Sequence, residues 1–259
     1  MFGWFRPVCP CDPEAKRWVE QRLRWLTRQF GLHILLERPV ILPTEEFFPD
    51  AWDGSPRAVR RMFRRVCGYM GVDPDVVEIQ LFNDQTPRGL MEAGIVTGFA
   101  AGTWSGGDGP WQKGVIRLER GSLDRPSDLV GTMAHELAHQ RLLGEGRGDP
   151  HAFDNELLTD LAAVYHGFGV FLANNPRKST GELSHWPGTT LRRPEYLSEP
   201  MLGYALAHLA WFRDEVKPEW ARHLRWAPRA VFKQGLRYLN ETAGSTFRPV
   251  RLEAAAEDE

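Results

Sequence analysis

The chain has 259 residues, of which 42% are hydrophobic and 25% charged, which is ordinary for a globular protein and long enough for one large domain or two small ones. The formal net charge of -2 provides no overall field that would favour nucleic acid or an acidic membrane surface, so we expect neither as a partner. Three cysteines, an odd number, argue against a disulfide framework and favour a reducing cytoplasm.

The first 17 residues contain no continuous apolar core of the kind that a signal peptide needs, because Arg6, Pro7 and Pro10 interrupt their few apolar residues. No run of about eighteen uncharged apolar residues occurs either, and the most apolar stretch, residues 157–173, contains Asp160 and His166. These features predict a soluble, cytoplasmic protein that does not span a membrane.

Two of the cysteines form the short motif Cys9-Pro10-Cys11. The pair could be half of a structural metal site, but no second pair follows and Cys67 lies far along the chain. Isolated thiols are the favoured interpretation.

Helical periodicity begins directly after this motif. From Pro13 onward apolar side chains recur at helical spacing until Gly31, which predicts an amphipathic first helix. Residues 33–54 mix short apolar runs with prolines, which predicts edge strands and loops.

A second helix is predicted from Ser55 and Pro56 to about Met70. Its apolar face is opposed by an arginine stripe, made up of Arg57, Arg60, Arg61, Arg64 and Arg65. The stripe could bind phosphate, but for a chain of near-neutral charge a solvated helix face is the favoured interpretation.

Three segments have the composition of strands: residues 76–82, residues around 95–104 and residues 114–119, with a glycine-rich loop before the third. Together they predict a small, mostly antiparallel sheet. Helical patterns follow. One helix is capped by Ser127 or Asp128 and ends at Gly144.

Another helix begins near residues 149–150 and runs to about Gly167. After a turn-rich stretch, further helices are predicted from about Glu199 to Glu215 and around residues 228–239. We expect a single domain over residues 1–259, with the following parts: an N-terminal helical and loop portion (1–70), a core (72–173), a C-terminal helical portion (174–245) and a flexible tail (246–259).

The helix that ends at Gly144 carries the sequence His135-Glu136-Leu137-Ala138-His139, which is an H-E-x-x-H motif. The spacing of four residues puts both imidazoles on one helix face, where they can converge on one metal ion. Glu136 then projects beside them and can take a proton from a coordinated water molecule. The alternative is a surface helix whose histidines bind nothing.

A catalytic zinc site needs a third protein ligand and an open position, and Glu156 on the following helix is the preferred candidate. Asp160 lies one helical turn further along the same face. Its carboxylate can accept the outer N–H of a ligand imidazole, most simply that of His135, and so fix the ring.

H-E-x-x-H followed by E-x-x-x-D resembles the gluzincin metallopeptidases, and the string NELLTD is similar to the N-E-x-x-S-D motif of their thermolysin-like branch. The resemblance implies Zn²⁺ as cofactor, with His135, His139 and Glu156 as ligands, Glu136 as general base and Asp160 as the partner of a ligand imidazole. It also implies an α+β, zincin-like fold in which a small sheet packs on an active-site helix and a glutamate helix, with additional N- and C-terminal helices. No H-x-x-G-x-x-H continuation follows, which disfavours a metzincin.

In such a fold the strand before the active-site helix, residues 114–119, is the edge that aligns an extended peptide substrate. The candidates for stabilising an oxyanion are Tyr165, His166, Tyr204 and His208. Sequence does not choose among them, and Tyr204 and His208 on an apolar helix are more often hydrogen-bonded core residues.

The resulting hypothesis is a zinc metallopeptidase that acts on a peptide or protein. Two alternatives stay open: a zinc hydrolase of a non-peptide amide, and a zincin-like binding or regulatory module without turnover. The intact Glu136 favours an enzyme, because a binding module has no need of that carboxylate.

Overall fold

The computed structural model describes residues 6–83, 102–106, 113–177 and 184–249. Over these residues the protein is mixed α+β and mostly helical, with a small sheet. The chain divides into two compact units. We call them the central unit, Ile41–Thr159, and the terminal unit, which combines Met1–Val40 with Asp160–Glu259.

The elements are numbered in chain order over the described residues. The helices are α1 (Pro13–Phe30), α2 (Leu32–Glu37), α3 (Pro56–Met70), α4 (Pro126–His139), α5 (Asn155–Ala163), α6 (Gly169–Asn174), α7 (Glu199–Phe212) and α8 (Trp226–Thr242). The strands are β1 (Val77–Phe82), β2 (Gly102–Ser105), β3 (Gly114–Glu119), β4 (Ser184–His185) and β5 (Arg192–Arg193).

Helix α1 of the terminal unit confirms the first predicted helix. Asp12 caps its start, since its carboxylate accepts the backbone N–H groups of Glu14 and Ala15, each at 2.9 Å. Gly31 ends the helix with a φ of 91°, a conformation that glycine adopts without strain.

Helix α2 corrects the prediction of edge strands over residues 33–54. Leu32 and Leu35 are three residues apart, as on one helix face, and Leu35 is buried. The prolines that suggested strand edges begin only at Pro39, after the helix has ended. The remainder of the segment forms loops, as predicted.

The core of the terminal unit is α7, which is buried on all sides and packs against α1 and α8. Both C-terminal helices were predicted, with ends that differ by a few residues. Residues 246–249, the first four of the predicted flexible tail, are packed: Thr246 bonds to Glu20, and Phe247 stacks on Phe212 with ring centroids 4.4 Å apart. Residues 250–259 lie outside the described residues.

One helical stretch, Asn155–Asn174, is long and apolar enough to cross a membrane by length and composition. Within its most apolar window of 18 residues, 94% is buried inside the protein, as in the core helix of a globular protein. Gly167, with a φ of 100°, interrupts its helical geometry between α5 and α6.

The sheet of the central unit has β3 between β1 and β2. Strands β1 and β3 pair in parallel, from Val77 opposite Gly114 to Phe82 opposite Glu119, whereas β2 runs antiparallel to β3. The prediction of a mostly antiparallel sheet did not include this parallel pair, because strand periodicity does not show which strands are partners. The predicted strand residues 95–101 lie outside the described residues.

Helix α3 confirms the second predicted helix, and the Ser55 hydroxyl accepts the N–H of Ala58 at its start. Two guanidinium groups of the arginine stripe, those of Arg61 and Arg65, pair with Asp50 at the protein surface. These ion pairs agree with a solvated face.

Helix α4 packs against both α3 and β2. Its start differs from the prediction, because Pro126 is the first helical residue and Arg125 is the cap, without a side-chain bond to the helix. Proline suits this position, since it has no N–H to satisfy and its φ is already helical. Ser127 and Asp128, the predicted caps, therefore lie in the first turn.

Candidate metal centre

The H-E-x-x-H motif lies near the end of α4, on the side of the helix that is buried. His135 and His139 follow one another by one helical turn, and their ring centroids are 4.8 Å apart at an interplanar angle of 82°. Only 1% of His135 and 8% of His139 is exposed. Both imidazoles therefore lie among packed side chains, with little access to bulk solvent.

Glu156 meets these imidazoles from the first turn of α5. One of its oxygens, Oε2, lies 3.0 Å from Nε2 of His135, and the other, Oε1, lies 3.5 Å from Nε2 of His139. The ligand atoms of the three residues lie within 4.8 Å of one another. His135, His139 and Glu156, which we call the metal triad, are thus within metal-binding distance.

Helix α5 begins later than predicted, and this delay brings Glu156 into its first turn. The Asp149 carboxylate accepts the N–H of His151 at 2.8 Å, and the carbonyl of Asp149 accepts the N–H of Ala152. Residues 149–154 are therefore turns in place of the predicted first helical turn, since an aspartate at this position bonds to its own neighbouring backbone.

Thr159 fixes the tautomer of His139. The Thr159 hydroxyl lies 2.9 Å from the carbonyl oxygen of Asn155 and 3.2 Å from Nδ1 of His139. A carbonyl can only accept, so the single hydroxyl proton is donated to Asn155, and the oxygen then accepts the Nδ1–H of His139. We therefore assign the lone pair of this imidazole to Nε2, the atom that faces Glu156.

A positive charge between the ligand atoms would stabilise the metal triad. Burial raises the pKa of Glu156, but the hydrogen bonds from His135 and His139 and their charge outweigh burial and hold the pKa well below its usual range. When the His139 ring is neutral and its Nδ1–H is engaged by Thr159, the Nε2 lone pair and a carboxylate oxygen of Glu156 face each other across 3.5 Å. A bound cation, or a proton in its place, removes that repulsion, so the donor set fits a metal ion.

Strand β2 packs against the motif side of α4. A Cβ atom on Gly102 would lie 2.6 Å from Cγ2 of Thr132 and 3.2 Å from Oε1 of Glu136. The strand can therefore approach the helix this closely only with glycine at position 102.

Two residues further along β2, on the same face, Trp104 covers His139. The indole stacks on the imidazole with centroids 6.2 Å apart and an interplanar angle of 16°, while Nε1–H donates to Oε1 of Gln140 at 3.0 Å. His139 is thus held by Trp104 on its face and by Thr159 at its edge.

Glu136 is 2% exposed, and its Oε1 points toward Gly102 of β2. It lies beside both histidines in sequence but outside the group of ligand atoms. Its predicted role as general base stays a prediction.

Asp160, the predicted partner of His135, belongs to the terminal unit. Its Oδ2 accepts the backbone N–H of Leu197 at 3.0 Å, and the residue is buried. The proposed bond to His135 stays a prediction.

Tyr165 and His166, two of the candidates for oxyanion stabilisation, are buried in the terminal unit. Tyr165 donates its hydroxyl to the carbonyl of Gly31 at 2.8 Å, and Nδ1 of His166 lies 2.9 Å from a guanidinium nitrogen of Arg38. A catalytic role for either residue stays a prediction.

The other two candidates, Tyr204 and His208, are hydrogen-bonded core residues of α7. Tyr204 donates to Oε1 of Glu20 at 2.7 Å, and Nε2 of His208 lies 2.9 Å from the hydroxyl of Ser245. Neither side chain is exposed. This is the structural role that sequence favoured for both, and a role in catalysis stays untested.

Sequence analysis did not identify Thr159, Trp104 or Gly102. For Thr159 a signal existed, since it follows Glu156 by three residues and so lies on the same helical face. For Gly102 and Trp104 the alternation of a strand relates the two to each other, but nothing in the sequence relates them to α4.

Comparison of the chain with protein-family models, with curated proteins and with solved structures finds no match.

Proposed function

We propose that this chain is a zinc-dependent hydrolase and, within that class, a metallopeptidase. The observation that carries the proposal is the convergence of the metal triad, whose ligand atoms lie within 4.8 Å of one another, with both imidazoles buried and Glu156 partly exposed. Two imidazoles and one carboxylate are the protein ligands of many catalytic zinc sites, which keep the fourth position for water or substrate.

The spacing of the donor atoms supports zinc. A tetrahedral ion with bonds of about 2.0–2.1 Å separates its ligand atoms by about 3.3 Å. The carboxylate of Glu156 lies near that distance from both imidazoles, with Oε2 3.0 Å from Nε2 of His135 and Oε1 3.5 Å from Nε2 of His139. A calcium or magnesium site would instead be made mostly of oxygen atoms.

A bound zinc ion would supply Lewis acidity, which polarises a carbonyl group and acidifies water. Glu136 accepts the proton of the attacking water molecule and then passes it to the leaving amine. Because Glu136 is buried against β2, its carboxylate is kept away from bulk solvent. Thr159 keeps His139 in the tautomer whose Nε2 can bind the ion.

A peptide substrate is supported by the position of β2. The sequence had favoured β3 as the strand that aligns the peptide. Strand β3 has partners on both sides, so its backbone has no free edge. Among the described residues β2 pairs with β3 alone, and it lies next to Glu136. An extended peptide can add to β2 through main-chain hydrogen bonds, with Trp104 as one wall of the cleft.

Metal content tests the first half of the proposal. Protein purified without added metal is expected to carry one equivalent of zinc by elemental analysis, as is the Glu136→Gln variant. His135→Ala and Glu156→Gln are expected to carry none while keeping the circular dichroism spectrum of the parent. Stoichiometric zinc in both ligand variants would place the ion elsewhere and overturn the proposal.

Activity tests the second half and separates the alternatives. The zinc-loaded parent is expected to cleave members of a quenched-fluorescence peptide library, and Glu136→Gln to lose that cleavage with zinc retained. Glu78→Gln, on an exposed face of β1, is the matched control and is expected to cleave at the parent rate. Cleavage of N-acyl amides alone would favour the non-peptide hydrolase, and no cleavage of either would favour a binding module.

A further inference from the structure

A cavity of about 740 Å³ lies in the terminal unit, whereas the metal triad belongs to the central unit. Its lining comes from α8 and from residues 216–222, which precede that helix. The lining residues of α8 recur every three to four positions from Arg229 to Glu241, as on one helical face. We call it the C-terminal cavity, and its volume is that of a site for a small molecule.

Part of the lining of the C-terminal cavity is apolar. Phe232 and Leu236, one helical turn apart, are buried, as is Ala221 from the preceding segment. Trp220 packs on Phe232 with ring centroids 5.0 Å apart, which holds the aromatic side chain in place. Val216 also lines the cavity but is 67% exposed, so apolar surface is left open to solvent. A hydrocarbon chain would gain free energy by covering this surface.

The remaining lining is strongly cationic. Among the described residues that line the cavity, five side chains are cationic and one is anionic, an excess of four positive charges, whereas the whole chain has a formal net charge of -2. The cations are Lys217, Arg222, Arg229, Lys233 and Arg237, and the anion is Glu241. Such a local excess of one sign attracts a ligand of the opposite sign.

Few of these charges are neutralised by the protein. Lys217 and Lys233 form no ion pair with any residue in the described part of the chain. Arg237 pairs with Glu241 at 2.8 Å, but 61% of one side chain and 49% of the other are exposed. An ion pair that is this exposed contributes little, so an anionic ligand can compete for the guanidinium.

Arg229 is held in position without a carboxylate partner. Its Nε donates to the carbonyl of Leu224 at 3.0 Å, and its Nη2 donates to the carbonyls of Arg222 and Leu224. These carbonyls order the guanidinium and leave its charge in place. An ordered guanidinium loses less side-chain entropy when it binds an anion.

We propose that the C-terminal cavity binds a long-chain carboxylate, with the hydrocarbon chain on the apolar lining and the carboxylate at the cationic side chains. This role is independent of the metal triad and of the proposed hydrolase activity. A small molecule is favoured over a membrane surface, because Phe232 and Leu236 line a cavity and are buried, whereas a protein that inserts into lipid presents its apolar face outward.

The test is isothermal titration calorimetry of the full chain with monomeric dodecanoate, with and without a chelator. Saturable binding of one equivalent is expected in both samples, with an unchanged circular dichroism spectrum. Each methylene group removed from the ligand should weaken binding by about fourfold. Dodecyltrimethylammonium, which has a cationic head group on the same chain, should bind at least about tenfold more weakly.

Three results would overturn the proposal. Equal binding of the cationic amphiphile would show that the cationic side chains do not select the ligand. Binding of many equivalents with loss of the circular dichroism signal would be the action of a detergent. Binding to phosphatidylglycerol vesicles without binding of monomeric dodecanoate would assign these residues to a membrane surface.

Variants locate the site. Replacing the exposed Lys217 and Lys233 together by glutamine is expected to weaken dodecanoate binding by roughly three- to tenfold. Arg57→Gln combined with Arg64→Gln removes the same charge from the exposed face of α3 and is the matched control, which should bind like the parent. Val216→Ser, which removes exposed apolar lining, should weaken binding by about threefold. An equal effect of the lysine and arginine double variants would place binding outside the cavity.

Discussion

The hydroxyl of Thr159 accepts the Nδ1–H of His139 across 3.2 Å, because its own proton is donated to the carbonyl of Asn155. Thr159 is fully buried, so no water molecule from bulk solvent competes for this bond. The relationship links α5, which carries Glu156, to the second histidine of α4. It favours the tautomer of His139 in which Nε2 can bind a cation together with Glu156.

Removing this hydroxyl is expected to weaken metal binding. Thr159→Val keeps the volume and shape of the side chain but leaves the Nδ1–H of His139 without its acceptor, and we expect zinc affinity to fall by roughly 10–100-fold. Thr159→Ser restores the hydroxyl and should bind zinc within a few-fold of the parent. Competition with a chromophoric chelator measures both. Equal affinity in the parent and Thr159→Val would show that the hydroxyl does not position His139.

Metal removal is expected to destabilise the folded chain. Without a metal ion, His139 must either take up a proton or leave its Nε2 lone pair facing the carboxylate of Glu156 across 3.5 Å. At a free zinc concentration of 100 times Kd, binding adds about 2.7 kcal/mol of stability. Thermal unfolding with and without a chelator should show a lower Tm in the chelated sample. In His135→Ala the Tm should respond to neither zinc nor chelator.

A methyl group at position 102 is expected to disturb both stability and activity. In Gly102→Ala the new Cβ would overlap Thr132 and press on Glu136, at a cost of about 1–3 kcal/mol. The urea concentration at the midpoint of unfolding and the rate of peptide cleavage should both be lower than in the parent. Gly68→Ala is the matched control, since nothing lies within 4 Å of a Cβ there, and alanine in α3 should stabilise by roughly 0.5–1 kcal/mol. Unchanged stability in Gly102→Ala would show that β2 does not need a glycine there.

Acid is expected to destabilise the protein partly through Glu20. Burial raises the pKa of Glu20, but the bonds from Lys16, Thr246 and Tyr204 outweigh it and lower the pKa to about 2. A carboxylate whose folded pKa lies below its unfolded value of 4.5 stabilises the fold above pH 4.5, and this contribution, on the order of 2–3 kcal/mol, is lost as the pH falls toward 2. In Glu20→Gln the loss of stability between pH 4.5 and 2 should be smaller in urea titrations. An equally steep loss would assign it to other groups.

The local features of this chain could be read from its sequence. The four-residue spacing of His135 and His139 places them on one helix face whatever surrounds the helix, and the Glu156 helix follows within a short connection. The helices α1 and α3 were predicted from their periodicity and caps for the same reason. Each of these inferences depends on residues within a few helical turns of one another.

The remaining features depend on residues that are distant in sequence, and the tertiary structure decides them. Among the described residues, the pairing of β3 with both β1 and β2 leaves β3 inside the sheet and the other two strands at its edges. The close packing of β2 brought Gly102 and Trp104 to the site. Strand propensity is a property of each segment by itself, whereas pairing and close packing depend on which segments the whole chain brings together. The sequence determined by itself which side chains could hold a metal ion, and only the fold decided that Thr159 fixes the tautomer of His139 and that Gly102 and Trp104 lie beside α4.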